Sequence, residues 1–599
     1  MQKNKPSLLD ALFVSDDKAR TREYDDGFFA REFSVTINKK LKRLLGRGFF
    51  RFARNISNFL AHVSSKAYGL AILSFGLVSV LMFFLGLSKD ASLVTPIIGA
   101  VFAALSIPFL VIDKPIPIML QDTPWTDYLF FEFFCMKRHT VLEGEVRIPG
   151  FIPILLGAML AAASGFVPLW FVAVSIGVLI CVYIGIESPE FLFLASIAYI
   201  PYMKLVPNGE NILAATLILI VISFAAKFLY GKRVLFVEQY DVIMALMLAF
   251  ILVSGIFLKG MESFSGSVRM IIFAFGYMIA GNLITNRRLA DRAANTVIIP
   301  GAIAGIISMA QLVTLKIRSG SVSIESLNGV LARRDGLAVC LIASVVFAVG
   351  MIRQSSPFPR VIYITSAIIS AAALIISGEI FAVIAIILGI FAHTVIKKNI
   401  LPPLLLPLML MLPLSVLLLP NSLLDSIFTY SPSISSAEEL FSLWRHSLEI
   451  LLNNIFVGIG IGKESFIAEM GQIGIFGYND SSNLFIELGL EAGIFAMICL
   501  ILLVITRLRH RSIRYLYVRN SQIETLSAVS GAALFCLLAF GMVNYIWSDV
   551  SAYYLFWCIF GIGSATLRVA KRDYDDKVLY YEETGDSDSS VIDIEIGRK

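Results

Sequence analysis

Apolar residues occur in long runs along most of this chain, separated by short polar segments. Most runs reach about 17–22 residues, enough to cross a hydrocarbon core of about 30 Å as a helix. In a bilayer such a run must be helical, because lipid offers no partner to a free backbone group. The pattern predicts an all-α polytopic membrane protein with about sixteen spans, or fourteen if two tight pairs merge, at 68–87, 91–112, 149–165, 167–186, 190–203, 211–230, 241–258, 269–285, 296–315, 336–352, 361–377, 379–396, 400–420, 484–506, 524–546 and 550–567.

The basic residues orient these spans. With the N-terminus in the cytoplasm, 39 of the 49 Lys and Arg residues fall on the cytoplasmic side, as the positive-inside rule predicts. We therefore expect both termini to be cytoplasmic. The ten cations left outside are Lys89, Lys204, Lys259, Arg269, Lys316, Arg318, Arg333, Arg334, Arg445 and Lys463.

Six segments follow from this topology. A basic amphipathic N-terminal region precedes two spans with a cytoplasmic interfacial segment, and a transmembrane core follows. The only long external loop then leads to the last spans and to an acidic tail that is expected to be disordered. The boundaries are 1–66, 67–147, 148–420, 421–483, 484–570 and 571–599.

Composition excludes several other classes. Apolar residues make up 57% of the chain and charged residues only 16%, whereas soluble domains carry about 25% charge. The net charge of +5 is too small to suggest a nucleic-acid partner. The six cysteines are scattered without a CxxC pair, and no external Asp/His set has metal-ligand spacing. We expect neither a disulfide framework nor a metal site nor a cofactor.

The external arginines are the first candidates for chemistry. Lys316, Arg318, Arg333 and Arg334 cluster between two spans, and Arg269 lies at the outer mouth of another. Each cation alone could be an anchor that snorkels to the interface. As a cluster they favour a bound anion, because the arginine fork suits phosphate.

The long loop contains a second candidate region. Apolar residues at helical spacing predict an amphipathic helix over Glu438–Phe456. This helix carries Arg445 and His446, the only histidine on the external side. An ion pair of Arg445 with Glu449, one turn later, would be an ordinary solvated contact. Gly458, Gly460 and Gly462 follow the helix as a flexible turn.

Several carboxylates lie at or near the outer ends of spans, where an acidic residue is a functional hypothesis by default. Glu379 and Glu487 are the better candidates. The others nearby are Glu491 and Asp549.

Two stretches resemble the O-antigen ligase/O-antigen polymerase superfamily of bacterial membrane glycosyltransferases. They read WRHSLEILLNNIFVGIGIG, with Trp444, Gly458 and Gly460, and SSNLFIELGLEAGIFA, with Ser482, Asn483 and Gly493. The order and spacing of the family motifs are kept. Ser482 stands where the family has His, Ala496 ends the motif, and Ile-Ser-Gly-Glu379 stands where many members carry Ser-Arg-Gly.

This resemblance implies an enzyme of the bacterial cytoplasmic membrane. It would transfer a glycan from a lipid diphosphate, usually undecaprenyl, to an acceptor sugar on the outer leaflet, without nucleotide or required metal. Its partners would be the lipid-linked oligosaccharide, the acceptor glycan, the bilayer and other polysaccharide-assembly proteins. Arg269, Arg318, Arg333 and Arg334 would hold the diphosphate. Arg445 with His446 or Glu487 would supply the catalytic groups.

Two other functions remain open. A transporter or flippase for a polysaccharide precursor would need paired halves with broken helices at mid-membrane. A non-catalytic scaffold would account for the missing family His. Within the enzyme hypothesis, the departure at Ser482 favours a polymerase over a ligase.

Overall fold

The structure, a computed structural model, describes most of the predicted spans. The described residues are 63–86, 94–111, 114–115, 118, 124–133, 148–164, 185, 188–229, 235–236, 238–257, 261–319, 334–352, 357–398, 437–513 and 523–584. Within these ranges the chain is almost entirely helical, and the β pairing consists of one isolated bridge between Ser64 and Pro115. The predicted spans 167–186 and 400–420, and nearly all of the N-terminal region 1–66, lie outside the described residues.

Seventeen α-helices organise the described part, together with one short turn of helix at Pro124–Asp127. They are α1 Ser65–Phe84, α2 Val94–Val111, α3 Phe151–Ser164, α4 Pro189–Tyr199, α5 Gly209–Leu229, α6 Gln239–Phe257, α7 Met261–Leu283, α8 Arg287–Ser319, α9 Arg334–Met351, α10 Pro357–Ile376, α11 Ile380–Lys398, α12 Ala437–Asn453, α13 Lys463–Gln472, α14 Leu484–Ala492, α15 Ile494–Ile513, α16 Glu524–Gly541 and α17 Val550–Thr584.

Eight of the described helices are long and apolar enough to cross a membrane, namely α1, α5, α6, α7, α8, α10, α16 and α17. Five shorter apolar helices accompany them, in α2, α3, α9, α11 and α15. This set confirms the helical class and is that of a multi-pass membrane protein.

Several predicted boundaries are wrong. The run 484–506 is two helices, because the chain breaks at Gly493 with φ +84°. The run 269–285 begins eight residues earlier, at Met261, so that Arg269 lies inside α7 rather than at its mouth. The run 190–203 ends as a 3₁₀ segment, Ile200–Leu205. The last helix, α17, continues to Thr584 and so includes residues 571–584 of the predicted acidic tail.

The described residues form two compact units. The first unit comprises Met1–Leu192 and Ile218–Leu235, and in it α1 packs against α2 and α3. Glycines permit this close approach: a Cβ added at Gly76 would lie 2.6 Å from the carbonyl oxygen of Gly99. Small residues at helix contacts are typical of membrane packing, where backbones must approach closely to gain van der Waals energy.

The second unit comprises Phe193–Leu217 and Phe236–Lys599. Its centre is formed by α16 and α17, whose apolar windows are 89% and 94% buried. α17 packs along α7 and α16. A Cβ at Gly561 would lie 2.5 Å from the Cβ of Ala280, which explains how α7 and α17 run so close together.

Polar contacts connect α6, α7 and α17 at one end. Arg568 of α17 donates to the carbonyl oxygen of Gly281 and, at 3.2 Å, to that of Ile284. A cation is favourable here because the C-terminus of a helix carries partial negative charge. Tyr277 donates to Asp241, whose other oxygen accepts the N–H of Glu238 at 2.6 Å. These contacts tie α6, α7 and α17 together.

Candidate functional site

The candidate site is built around α14, a helix of only nine residues. Asn483 caps its N-terminus, accepting the N–H groups of Phe485 at 3.0 Å and Ile486 at 3.1 Å. The same side chain donates to the carbonyl oxygen of Met542 at 2.8 Å. The cap thereby satisfies free N–H groups of the first turn and attaches α14 to the end of α16. Ser482, just before the cap, has φ +51°.

Two carboxylates lie one turn apart on α14, and both are buried. Glu487 is 1% exposed and Glu491 is 4% exposed. Oε2 of Glu487 accepts the N–H of Ser481 at 2.7 Å. The carboxylate of Glu487 therefore reaches the backbone directly beside Ser482.

Glu491 binds two other elements. Its Oε1 accepts the N–H of Gly462 at 3.1 Å, and its Oε2 accepts the hydroxyl of Tyr545 at 2.7 Å. Its backbone oxygen accepts from Ser254 Oγ at 2.5 Å. Hydrogen bonds to a carboxylate are stronger than those between neutral groups, so Glu491 holds the glycine turn and the segment before α17 on one helix.

The glycine turn is held by hydrogen bonds, whereas the sequence predicted a flexible segment. Gly458, Gly460 and Gly462 all have positive φ, between +76° and +114°. The N–H of Ile459 donates to the carbonyl oxygen of Leu490 at 2.6 Å, and that of Ile461 donates to Ser263 Oγ at 3.0 Å. The turn thus supplies donors to the C-terminus of α14, where carbonyl groups lack partners within the helix.

The break between α14 and α15 at Gly493 is held by the segment between α12 and the glycine turn. The N–H of Ile494 donates to the carbonyl oxygen of Ile455 at 2.9 Å. A Cβ at Gly493 would lie 2.4 Å from the carbonyl oxygen of Phe456. A glycine is required here both by its positive φ and by this approach of backbone to backbone.

The predicted amphipathic helix exists as α12, Ala437–Asn453. Its buried face includes Leu440, Leu443 and Leu451. Leu451 packs on α14, since its Cδ2 lies 3.2 Å from the Cβ position of Gly489. Trp444 is partly exposed on the same helix.

A tyrosine ties the start of α12 to the loop before α14. The Tyr478 hydroxyl donates to Glu439 Oε1. Burial, together with the hydrogen bond and charge of Glu439, raises the pKa of Tyr478 to about 12.

Arg445 and His446 bind their own helix. Arg445 Nε lies 3.4 Å from Glu449 Oε1, and His446 Nδ1 lies 3.3 Å from Glu449 Oε2. The Arg445 side chain is 79% exposed. The solvated ion pair considered from the sequence is therefore present, and these contacts do not bring Arg445 or His446 to Glu487.

The other predicted arginines are only partly described. Arg269 Nη1 lies 3.4 Å from Glu210 Oε2, and Glu210 also binds Lys204 at 2.5 Å. For Arg318 in α8 and Arg334 in α9 the described part is the backbone, and Arg333 lies outside the described residues. Glu379 is buried between α10 and α11, beside Gly378 at φ +75°.

Asp549 is a further buried carboxylate near the start of α17. It is 4% exposed, and its Oδ1 accepts the N–H and hydroxyl of Ser551 at 2.9 and 2.6 Å. Its Oδ2 has no hydrogen-bond partner among the described residues and lies 2.6 Å from the Cβ position of Gly336. Asp549 therefore abuts the first turn of α9, the helix that begins at Arg334.

The sequence favours Glu379 over Asp549 and Glu491 as a functional carboxylate, and it gives no reason to select Tyr545. The only sequence signal for Asp549, Glu491 and Tyr545 is their place at the ends of apolar runs, because their partners are distant in sequence. The chain matches no protein-family model and no curated protein. Among the described residues, no three His, Cys, Asp or Glu side chains form a group that could hold a metal ion.

Proposed function

We propose that this protein is a membrane glycosyltransferase that moves a glycan from undecaprenyl diphosphate to a hydroxyl of an acceptor sugar, as an O-antigen, capsule or exopolysaccharide polymerase or ligase. It would act at the outer leaflet of the bacterial cytoplasmic membrane, with fourteen to sixteen spans, cytoplasmic termini and the loop 421–483, which carries α12 and α13, outside. The order of the family motifs between Trp444 and Gly493 supports this proposal.

The observation that carries the proposal is the position of Glu487. Its buried carboxylate accepts the N–H of Ser481 at 2.7 Å, next to Ser482, where the family His is replaced. A carboxylate beside Ser482 can act as the proton acceptor in place of the family His. His446 is the weaker candidate, since its Nδ1 contacts Glu449 on the exposed side of α12.

In the proposed step, the acceptor hydroxyl oxygen forms a bond to the anomeric carbon of the donor glycan. The bond from that carbon to the diphosphate oxygen breaks, and undecaprenyl diphosphate leaves with the electron pair. The hydroxyl proton passes to the carboxylate of Glu487. A well-placed base of this kind contributes about 10²–10⁴ in rate.

The leaving diphosphate requires positive charge. Arg334 begins α9, Arg333 directly precedes it in sequence, and the first turn of this helix lies against Asp549. We assign the diphosphate to this pair, with Arg269 and Arg318 as further external cations and Arg445 as the cation of α12. Preorganised cations stabilise charge as it develops on a leaving group.

A transporter for the lipid-linked precursor is the second candidate, and one observation favours it. The apolar run 484–506 is broken at Gly493 and carries two buried carboxylates on its first half. Discontinuous helices with such groups are typical of transporter binding sites.

A transfer assay in detergent separates the two functions. The purified full-length chain is mixed with lipid-linked oligosaccharide extracted from host membranes, and the glycan length is followed by electrophoresis. An enzyme extends the glycan without a sealed membrane, whereas a transporter gives no product. We expect extension by the parent and loss of about 10²-fold or more for Glu487→Gln.

Two control variants accompany this assay. Glu449→Gln removes an exposed carboxylate that pairs with Arg445 and His446, and it should retain activity. His446→Ala should retain activity as well. Retained activity of Glu487→Gln, or a loss confined to His446→Ala, would contradict the assignment of the base.

A further inference from the structure

α12 presents an apolar stripe that nothing in the described part of the chain covers. Its buried face packs on α14, yet Leu448 is 44% and Leu452 is 64% exposed. Phe456, just beyond the helix, is 71% exposed. Leu448 and Leu452 lie one turn apart on α12 and form an apolar stripe beside the buried face. A charged stripe with Glu438, Arg445 and Glu449 flanks it.

This stripe continues onto a transmembrane surface through aromatic contacts. The Phe456 ring lies 6.0 Å from that of Phe495, which stacks on Phe250 at 5.5 Å. Phe250 belongs to α6, one of the eight candidate spans.

Phe495 opens a matching stripe on α15. Exposed apolar residues recur there every three to four positions, at Phe495, Ile498, Leu502 and Ile505. Phe456 therefore connects the end of α12 to the apolar stripe of α15.

We propose that this strip, formed by Leu448, Leu452 and Phe456 with the exposed face of α15, is a lipid-docking surface on which the bilayer seats α12. The apolar stripe of α12 enters the bilayer interface. The charged stripe of α12 faces the headgroups and water. An amphipathic helix with one apolar and one charged face binds membrane interfaces in this way.

The continuity of the strip selects lipid over a protein partner. The outward residues of α6, among them Leu246 and Phe257, are exposed on a helix suited to span the membrane, so their neighbours are acyl chains. The strip continues from α6 through the ring contacts of Phe250, Phe495 and Phe456, so it has the same neighbour. A second copy of the chain would need a polar rim around an apolar patch, and the strip has charge along only one side.

This docking has a consequence for α14. Leu451 lies between the exposed stripe and the contact at Gly489. A bilayer that supports Leu448 and Leu452 would therefore press α12 onto the helix that carries Glu487 and Glu491. The inference concerns the surface alone and does not depend on the proposed transfer reaction.

The test measures thiol reactivity in proteoliposomes. Leu448→Cys, Leu452→Cys and the control Ser442→Cys place thiols on three exposed positions of α12. N-ethylmaleimide crosses membranes, so sidedness does not affect its access. The parent, with six cysteines, provides the background.

We expect the thiols at positions 448 and 452 to react at least about tenfold more slowly than that at 442, because maleimide needs the thiolate and lipid suppresses ionisation. Equal rates at the three positions would place the stripe in water and overturn the proposal. Disulfide-linked dimers through position 452 that persist at low protein-to-lipid ratio would assign the surface to a second copy and would also overturn it.

Discussion

The Tyr545 hydroxyl donates a 2.7 Å hydrogen bond to Glu491 Oε2 inside the second unit, with both side chains buried. The other oxygen of this carboxylate accepts the N–H of Gly462. Glu491 therefore joins α14 to the glycine turn and to the segment that precedes α17. None of these three elements is adjacent to another in sequence, so the carboxylate acts as a cross-link within the candidate site.

Tyr545→Phe should destabilise the protein by about 1.5–3 kcal/mol, because a buried carboxylate oxygen loses its partner. Tyr478→Phe is the matched control, since it removes a tyrosine–glutamate hydrogen bond from a partly exposed position. Water can replace that donor, and we expect about 1 kcal/mol or less. Thermal unfolding in one detergent measures both variants, and a loss as large for Tyr478→Phe would show that burial does not set the energy of these bonds.

Gly458→Ala should be far more damaging than Gly474→Ala. The two glycines have φ +76° and +78°, so an alanine at either position costs about 1–2 kcal/mol of backbone strain. A Cβ at Gly458 would also lie 2.3 Å from the carbonyl oxygen of Leu490, whereas nothing lies within 4 Å at Gly474.

Limited proteolysis between α12 and α14, with thermal unfolding alongside, measures the difference. We expect accelerated cleavage for Gly458→Ala only. Similar cleavage of the two variants would mean that the turn does not dock on the C-terminus of α14.

Asn483→Ala should destabilise the protein by about 0.5–2 kcal/mol from the lost cap alone, and by more because the bond to Met542 is also lost. Ser482→Gly at the neighbouring position should stay within about 1 kcal/mol of the parent. Glycine relieves the positive φ of Ser482 but raises the entropy of the unfolded chain, and these effects oppose each other.

Chemical denaturation of the two variants in the same detergent tests this pair. A stable Asn483→Ala variant would show that α14 does not depend on its cap.

Hydrophobic patterning was sufficient to locate most described helices. The run predicted at 68–87 is the helix Ser65–Phe84, and that at 211–230 is Gly209–Leu229. The reason is that an apolar segment in lipid has no alternative to internal backbone hydrogen bonds. The helix predicted at Glu438–Phe456 is found at Ala437–Asn453, because its apolar residues have helical spacing.

The same patterning failed where a distant segment decides the backbone. Gly493 sits in an apolar run that reads as continuous. The run breaks there because the N–H of the next residue, Ile494, binds the carbonyl oxygen of Ile455. Likewise, Leu451 and Leu452 are equally apolar neighbours, and only packing on α14 buries the first and leaves the second exposed.

The sequence by itself therefore determined the helical membrane class and most helix positions, and it singled out Glu487 as a carboxylate with a functional hypothesis. Only the tertiary structure decided that Glu487 lies against the backbone at Ser481, that Glu491 bonds to Gly462 and Tyr545, and that Asp549 abuts α9. Local periodicity reports which residues share a face of one helix. The partners of a buried polar group come from segments far along the chain, and only the packing of those segments brings them within hydrogen-bond distance.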